Sequence, residues 1–170
     1  AGSMFVLGAV ITTARYEPDV PVADGCGTCR RCIDGCPTEA IVDAGVVDAR
    51  RCLAWLVQRP GVFPEQYRAA LGDRIYGCDD CQEVCPPTTH LSMRAPSPTD
   101  DAGMWVDLID LLAADDATLL ERHGRWYIAD RNPRWLRRNA LICVGNTASP
   151  DDDEARHTLE DYRDGDDDLL

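Results

Sequence analysis

Eight cysteines confined to 60 of the 170 residues constrain this chain more than any other feature. They run Cys26-Gly-Thr-Cys29-Arg-Arg-Cys32-Ile-Asp-Gly-Cys36-Pro37, then Cys52 alone, then Cys78-Asp-Asp-Cys81-Gln-Glu-Val-Cys85-Pro86. A ninth, Cys143, stands apart and reads as a core thiol. Thiols at i, i+3 and i+6 on one tight loop suit the enclosure of a shared inorganic centre.

The first run has the spacing C-x2-C-x2-C-x3-C-P, in which three thiolates hold one [4Fe–4S] cubane and the fourth cysteine ligates a second. The later run has lost its first cysteine, and Cys52 is available to replace it. The expected assignment is therefore crossed. Cys26, Cys29, Cys32 and Cys85 hold cluster 1, and Cys36, Cys52, Cys78 and Cys81 hold cluster 2. Crossing ties the two runs together, so the metal also acts as a folding staple. Gly27 and Gly35 let the loop take positive φ, and Pro37 is preset for the first position of a helix. Two zinc sites of four cysteines would use the same eight thiolates, but zinc sites usually pair two C-x2-C knuckles. A disulfide scaffold needs an oxidising compartment and an even count of cysteines.

The length suits one ordinary domain or two small ones. No apolar run is long enough to span a membrane. Met4 to Ile11 is apolar, no basic residue precedes it, and it reads as a buried strand rather than a signal peptide. Cluster chemistry points to a reducing cytoplasm. The net charge of −13 is unevenly placed: residues 151–170 carry −8, whereas residues 121–140 carry six arginines against two acids. A basic stretch that survives in an acidic chain keeps nucleic acid open as a partner. The candidate phosphate contacts are Arg125, Arg131, Arg134, Arg137 and Arg138, with Trp126, Tyr127 and Trp135 able to stack. The alternative is a solvated helix face over a core of aromatics. His90, His123 and His157 are scattered singly and carry no assigned chemistry.

The fold class expected is α+β and mostly helical: a double-cluster domain followed by a helical repeat. Residues 1–21 read as the end of a preceding domain and a connector, 22–92 as the cluster domain, 93–100 as a linker and 101–170 as the helical part. Helices are expected over 37–42, over 49–58 capped by Asp48, and from Pro64 to Gly72. Cys52 would lie in the first turn of the second of these. Pro86, Pro87, Pro96 and Pro98 mark residues 86–100 as linker. Further helices are expected over 101–114, over 116–123 up to Gly124, from Pro133 to a stop at Gly145-Asn146, and from Ser149-Pro150 to Tyr162. Residues 125–130 read as extended, Val46-Val47 as a brief strand. Both ends look cut from something longer.

Taken together, these residues resemble the tRNA epoxyqueuosine reductase family. Gly2-Ser-Met-Phe-Val-Leu-Gly8 is similar to that family's Gly-Ser-Trp-Phe-Phe-Leu-Gly segment. Cys52 stands in an Asp48-Ala-Arg-Arg-Cys-Leu context, and Arg74-Ile-Tyr-Gly-Cys-Asp-Asp-Cys-Gln82 resembles the family's second cluster motif, its most specific piece. Leu136-Arg-Arg-Asn-Ala-Leu141 with Gly145-Asn146 looks like its HEAT-like repeat. The resemblance implies reduction of epoxyqueuosine to queuosine at the wobble position of tRNA, with cobalamin and two [4Fe–4S] clusters that relay electrons to the cobalt. It also implies an electron donor protein, the tRNA anticodon region as partner, and a monomer.

The family's cobalamin domain and catalytic acid lie N-terminal to the segment seen here, so no catalytic residue is assigned and the chain alone is expected to be inactive. Cys85-Pro86-Pro87 departs from the family's usual Cys-Pro-Trp. A free-standing dicluster ferredoxin and a module of another cobalamin enzyme, such as a reductive dehalogenase, are the competing readings.

Overall fold

The computed structural model describes residues 4–5, 7–92 and 105–165. The first helix, α1 (Arg31–Asp34), is a single turn. It leads to an antiparallel ribbon, β1 (Ile41–Asp43) and β2 (Val46–Val47), with Ile41 opposite Val47 and Asp43 opposite Val46. Short turns follow as α2 (Leu53–Leu56), α3 (Arg68–Leu71), α4 (Asp80–Glu83) and α5 (Pro86–Ser92). The longer helices come last: α6 (Leu108–Ala113), α7 (Asp116–His123), α8 (Arg134–Thr147) and α9 (Asp153–Asp164).

Aspartates start α6, α7 and α9. Asp107 accepts from the N–H groups of Ile109 and Asp110, Asp115 from Thr118, and Asp152 from Ala155, at 2.8 to 3.0 Å. Each carboxylate satisfies donors that the first turn leaves unpaired.

Helix α8 organises the packing. Its residues Leu136 and Arg138 to Val144 are all buried, so it has almost no solvent face. One side, with Ala140, Leu141 and Val144, meets Leu111, Leu112, Leu119 and Ala155. The other, with Ile142 and Cys143, meets Leu53, Leu56, Val57, Phe63 and Leu71 of the cysteine-bearing half. Full burial of each such side chain contributes roughly 1.5–3 kcal/mol.

Several expectations are corrected here. Leu7, Val10 and Ile11 are 90% or more exposed and form no strand, because none of the described elements covers them. Residues 37–42 make a turn and β1 instead of a helix: Glu39 takes φ of 50° and the β-branched Ile41 and Val42 enter the ribbon. The helix expected over 49–58 is split at Cys52, whose ψ of 120° separates a 3₁₀ turn over Ala49–Arg51 from α2. Asp48 does cap that 3₁₀ turn, accepting from Arg50 N–H at 3.1 Å. Residues 86–92 of the expected linker are helical, and residues 93–104 lie outside the described residues. The helix expected over 101–114 is described from Leu108. Of residues 125–130, expected to be extended, Ile128 is so, but a 3₁₀ turn spans Ala129–Arg131. Helix α8 runs through Gly145 and Asn146 to Thr147, held there by the Asn146 amide, which donates to the carbonyls of Arg68 and Gly72 at 2.8 and 3.1 Å.

Candidate metal centre

None of the eight clustered cysteines is in a disulfide, and Cys32 and Cys81 lie in α1 and α4, which pack against each other. The two runs are built alike. In the first, Gly27 at φ of 53° turns the chain after Cys26, Cys29 N–H closes onto the Cys26 carbonyl at 3.0 Å, and Cys32 lies in α1. In the second, Gly77 at φ of 82° precedes Cys78, and Cys81 lies in α4. Positive φ at these two glycines costs no Cβ clash. Gly35 has a different role from the one expected. Its φ is −88°, but a Cβ there would stand 3.1 Å from the Val84 side chain and 3.0 Å from the Arg31 carbonyl. It is a contact point between the two runs. Pro37 enters a turn, whereas Pro86 opens α5.

The thiols fall into neighbourhoods. Cys26 is held above its ordinary value chiefly by the Asp24 carboxylate, and it also feels Cys32 and Cys85. Burial raises Cys81, which also feels Cys36, Cys52 and Cys32. The Cys36 thiol is pushed up by burial but lowered on balance by the N–H groups around it; Ala40 N–H donates to Sγ at 3.2 Å. Such donors favour a thiolate. Cys78 is pushed up to about 11 by burial. Among the described residues no three His, Cys, Asp or Glu side chains close on a single-ion position. A cubane is bulkier and takes thiolates at its outer corners. The donor set, thiolate-rich and carrying N–H donors to sulfur, fits that group.

The Arg74-Ile-Tyr-Gly77 segment fastens the second run to the helices. Arg74 pairs with Asp80 through two bonds of 3.0 and 2.8 Å and donates to the Leu71 carbonyl at 3.1 Å. Ile75 packs into both cores. Tyr76 stacks on Trp126 with centroids 4.8 Å apart, and its hydroxyl accepts from Tyr127 N–H at 2.8 Å.

Two of the five arginines expected to meet phosphate are committed elsewhere. Arg138 is fully buried, its guanidinium against Phe63 and Trp135 and its donors on carbonyls of the cysteine-bearing half. Arg137 pairs with Asp116 and donates to the Ala114 carbonyl at 2.8 Å. Arg125 and Arg131 are exposed, and Arg134 is half-buried over the Trp135 ring. The sequence reading missed the pairing of Arg138 with Asn139, although position 138 shares a helical face with the buried Leu141 and Ile142.

The class of protein follows from these features: a double [4Fe–4S] cluster-binding fold built into a helical-repeat scaffold. The family described as a 4Fe-4S double cluster binding domain matches residues 25–88. An epoxyqueuosine reductase of Bacillus anthracis is 37% identical over 147 residues, 85% of this chain and 39% of that protein. An uncharacterized protein of Geobacillus stearothermophilus is 36% identical over 88% of this chain and 72% of its own length. A crystal structure of epoxyqueuosine reductase with a tRNA-Tyr epoxyqueuosine-modified tRNA stem loop superposes with a TM-score of 0.63 at 35% identity, covering 77% of this chain and 36% of that one. The chain is similar to epoxyqueuosine reductases over most of its length, and it spans about two-fifths of the length of the curated reductase it matches (39%).

Proposed function

We propose that this chain is the electron-relay part of an epoxyqueuosine reductase, which reduces epoxyqueuosine to queuosine in tRNA. The observation that carries the reading is the neighbourhood of the thiols: Cys26 lies with Cys32 and Cys85, and Cys81 with Cys36 and Cys52, Cys32 being a neighbour of both. This supports the crossed assignment, with cluster 1 on Cys26, Cys29, Cys32 and Cys85 and cluster 2 on Cys36, Cys52, Cys78 and Cys81. Bound there, each cluster supplies a one-electron carrier. The protein's own share is to hold the thiolates, to direct N–H groups such as that of Ala40 at sulfur, and to set solvent access. These settings tune the potential.

Cobalamin is implied by the family resemblance, and no described residue is assigned to it. For tRNA, the exposed Arg125 and Arg131 are the contacts proposed, with the exposed Tyr127 beside them.

The test is spectroscopic. The chain purified without oxygen should hold about eight irons and eight sulfides. Cys85→Ser should change the same cluster signal as Cys26→Ser, and Cys36→Ser the same signal as Cys52→Ser. If Cys85→Ser instead alters the signal that Cys78→Ser alters, the crossing is wrong. If the anaerobic chain holds zinc and no sulfide, the relay reading falls.

A further inference from the structure

Helix α8 reaches into the cysteine-bearing half with two adjacent polar side chains, Arg138 and Asn139, both fully buried. The Asn139 amide donates to the carbonyls of Val57 at 2.9 Å and Ile75 at 3.1 Å. Arg138 donates to the carbonyls of Leu56, Val57, Arg59 and Gly61 at 3.0, 3.3, 2.9 and 2.5 Å. It also donates twice to Asn139 Oδ1, at 3.1 and 2.9 Å, which fixes the amide so that its NH₂ group faces the two carbonyls.

Those carbonyls belong to two segments that are distant in sequence, and each segment bears a thiol. Leu56 and Val57 close the single helical turn that starts at Cys52; Leu56 N–H donates to the Cys52 carbonyl at 2.9 Å. Ile75 stands three residues before Cys78, whose side chain packs against the core that contains Ile142 and Cys143. One amide therefore joins the Cys52 segment to the Cys78 segment and anchors both to the longest helix described. Cys26 and Cys29 of the first run, by contrast, lie on an exposed loop.

We propose that Asn139, oriented by Arg138, is a positioning residue for cluster 2 and sets the spacing of Cys52 and Cys78. The inference rests on the cluster reading above. A cubane has fixed dimensions, so two ligands on separate backbone segments must be held at one separation before the metal arrives, or the metal must order them. An apolar pair could fill the same volume. Only directional donors can hold two carbonyls of different segments in one geometry. Asn146, on the same helix, provides the internal control. It bonds two carbonyls of the cysteine-bearing half in the same manner, those of Arg68 and Gly72, but neither belongs to a turn that carries a thiol.

The test uses the full chain, purified without oxygen and loaded with its clusters. Asn139→Asp keeps an acceptor for Arg138 but cannot donate to Val57 or Ile75. Iron release to a chelator is followed together with the electron paramagnetic resonance signal of each reduced cluster, identified by Cys26→Ser and Cys52→Ser. In Asn139→Asp the cluster 2 signal should change and its four irons should be released at least about tenfold faster, the factor that ~1.4 kcal/mol of lost hydrogen bonding gives. The cluster 1 signal and rate should stay as in the wild type, and Asn146→Asp should leave both clusters unchanged. If Asn139→Asp does not accumulate as folded protein, Arg138→Lys, which keeps the cation but loses the guanidinium fork, decides by the same reading. Equal acceleration of both clusters, or equal effects of Asn139→Asp and Asn146→Asp, would overturn the positioning role alone. A wild-type chain without iron–sulfur signals would overturn the cluster reading and the inference with it.

Discussion

Arg138 is a buried cation whose partners are carbonyl oxygens, one amide oxygen and two aromatic faces. Burial pushes it down to about 10, with Arg59 adding to the effect, and it stays charged at neutral pH. The cost of burying that charge is offset by the number of donors it places on carbonyl acceptors. Arg138→Ala removes the cation but strands the buried carbonyl of Leu56, whereas that of Val57 keeps the Asn139 amide and those of Arg59 and Gly61 are only part-buried. An unsatisfied buried acceptor costs about 1–3 kcal/mol, so the variant should lose at least ~1 kcal/mol, read as a lower urea midpoint of the anaerobic protein. Arg125→Ala, at an exposed position, should change stability by no more than ~0.5 kcal/mol. A shift for Arg138→Ala as small as that would mean that solvent replaces the guanidinium. Arg137, beside it on the same helix, turns to Asp116 instead, so neighbouring arginines of one motif serve different ends.

Among the elements, the cysteine-bearing half is made of helices too short to stand alone. α1, α2, α3 and α4 have four residues each, and an isolated helix of that length has no stability in water. Their contacts therefore carry the structure, and one of them sets Gly35 against Val84. Gly35→Ala should force α1 and α4 apart and, if the proposed crossed assignment holds, speed the loss of iron from both clusters. Val84→Ala added to it should restore only part of the loss, because the Arg31 carbonyl remains 3.0 Å from the new Cβ. No effect of Gly35→Ala would show that the two runs are not in contact at this point, and full restoration would show that Val84 alone, not the Arg31 carbonyl, limits the space. The Tyr76–Trp126 stack does for the second run what Gly35 does between the runs: it fixes a loop by shape, here through an offset between two flat rings.

For the molecule as a whole, the two cores differ in what they need. Helices α6 to α9 bury Leu111, Leu112, Leu119, Ala140, Leu141, Val144 and Ala155 against one another. The other core consists of one-turn elements leaning on α8. Stripping the iron should therefore act unevenly. Amide hydrogen exchange should lose protection over residues 26–92 and keep it in α8 and α9. Uniform loss would mean that both cores unfold as one unit.

The net charge of −13 conceals a further division. Exposed Arg125 and Arg131 lie in a locally basic stretch, whereas α9 and its surroundings are acidic. No helix among the described residues is long and apolar enough to cross a membrane.

The sequence by itself determined which thiols cluster and at what spacing, and it carried the family resemblance. Thiol spacing is a local property, and Cys-x2-Cys-x2-Cys can be read without knowing what surrounds it. The Asp48 cap and the stop of α3 at Gly72, where φ is 60°, were legible for the same reason. What surrounds a residue was not legible. Residues 37–42 and Met4 to Ile11 depend on which surfaces cover them, and the tertiary structure put one in a ribbon and left the exposed part of the other without a partner. Gly35 serves space rather than φ because of Val84, 49 positions away. Only tertiary structure could turn Arg138 from a surface cation into a buried one. The carbonyls it bonds lie at least 77 residues away in sequence, and burial is a property of the whole packed chain.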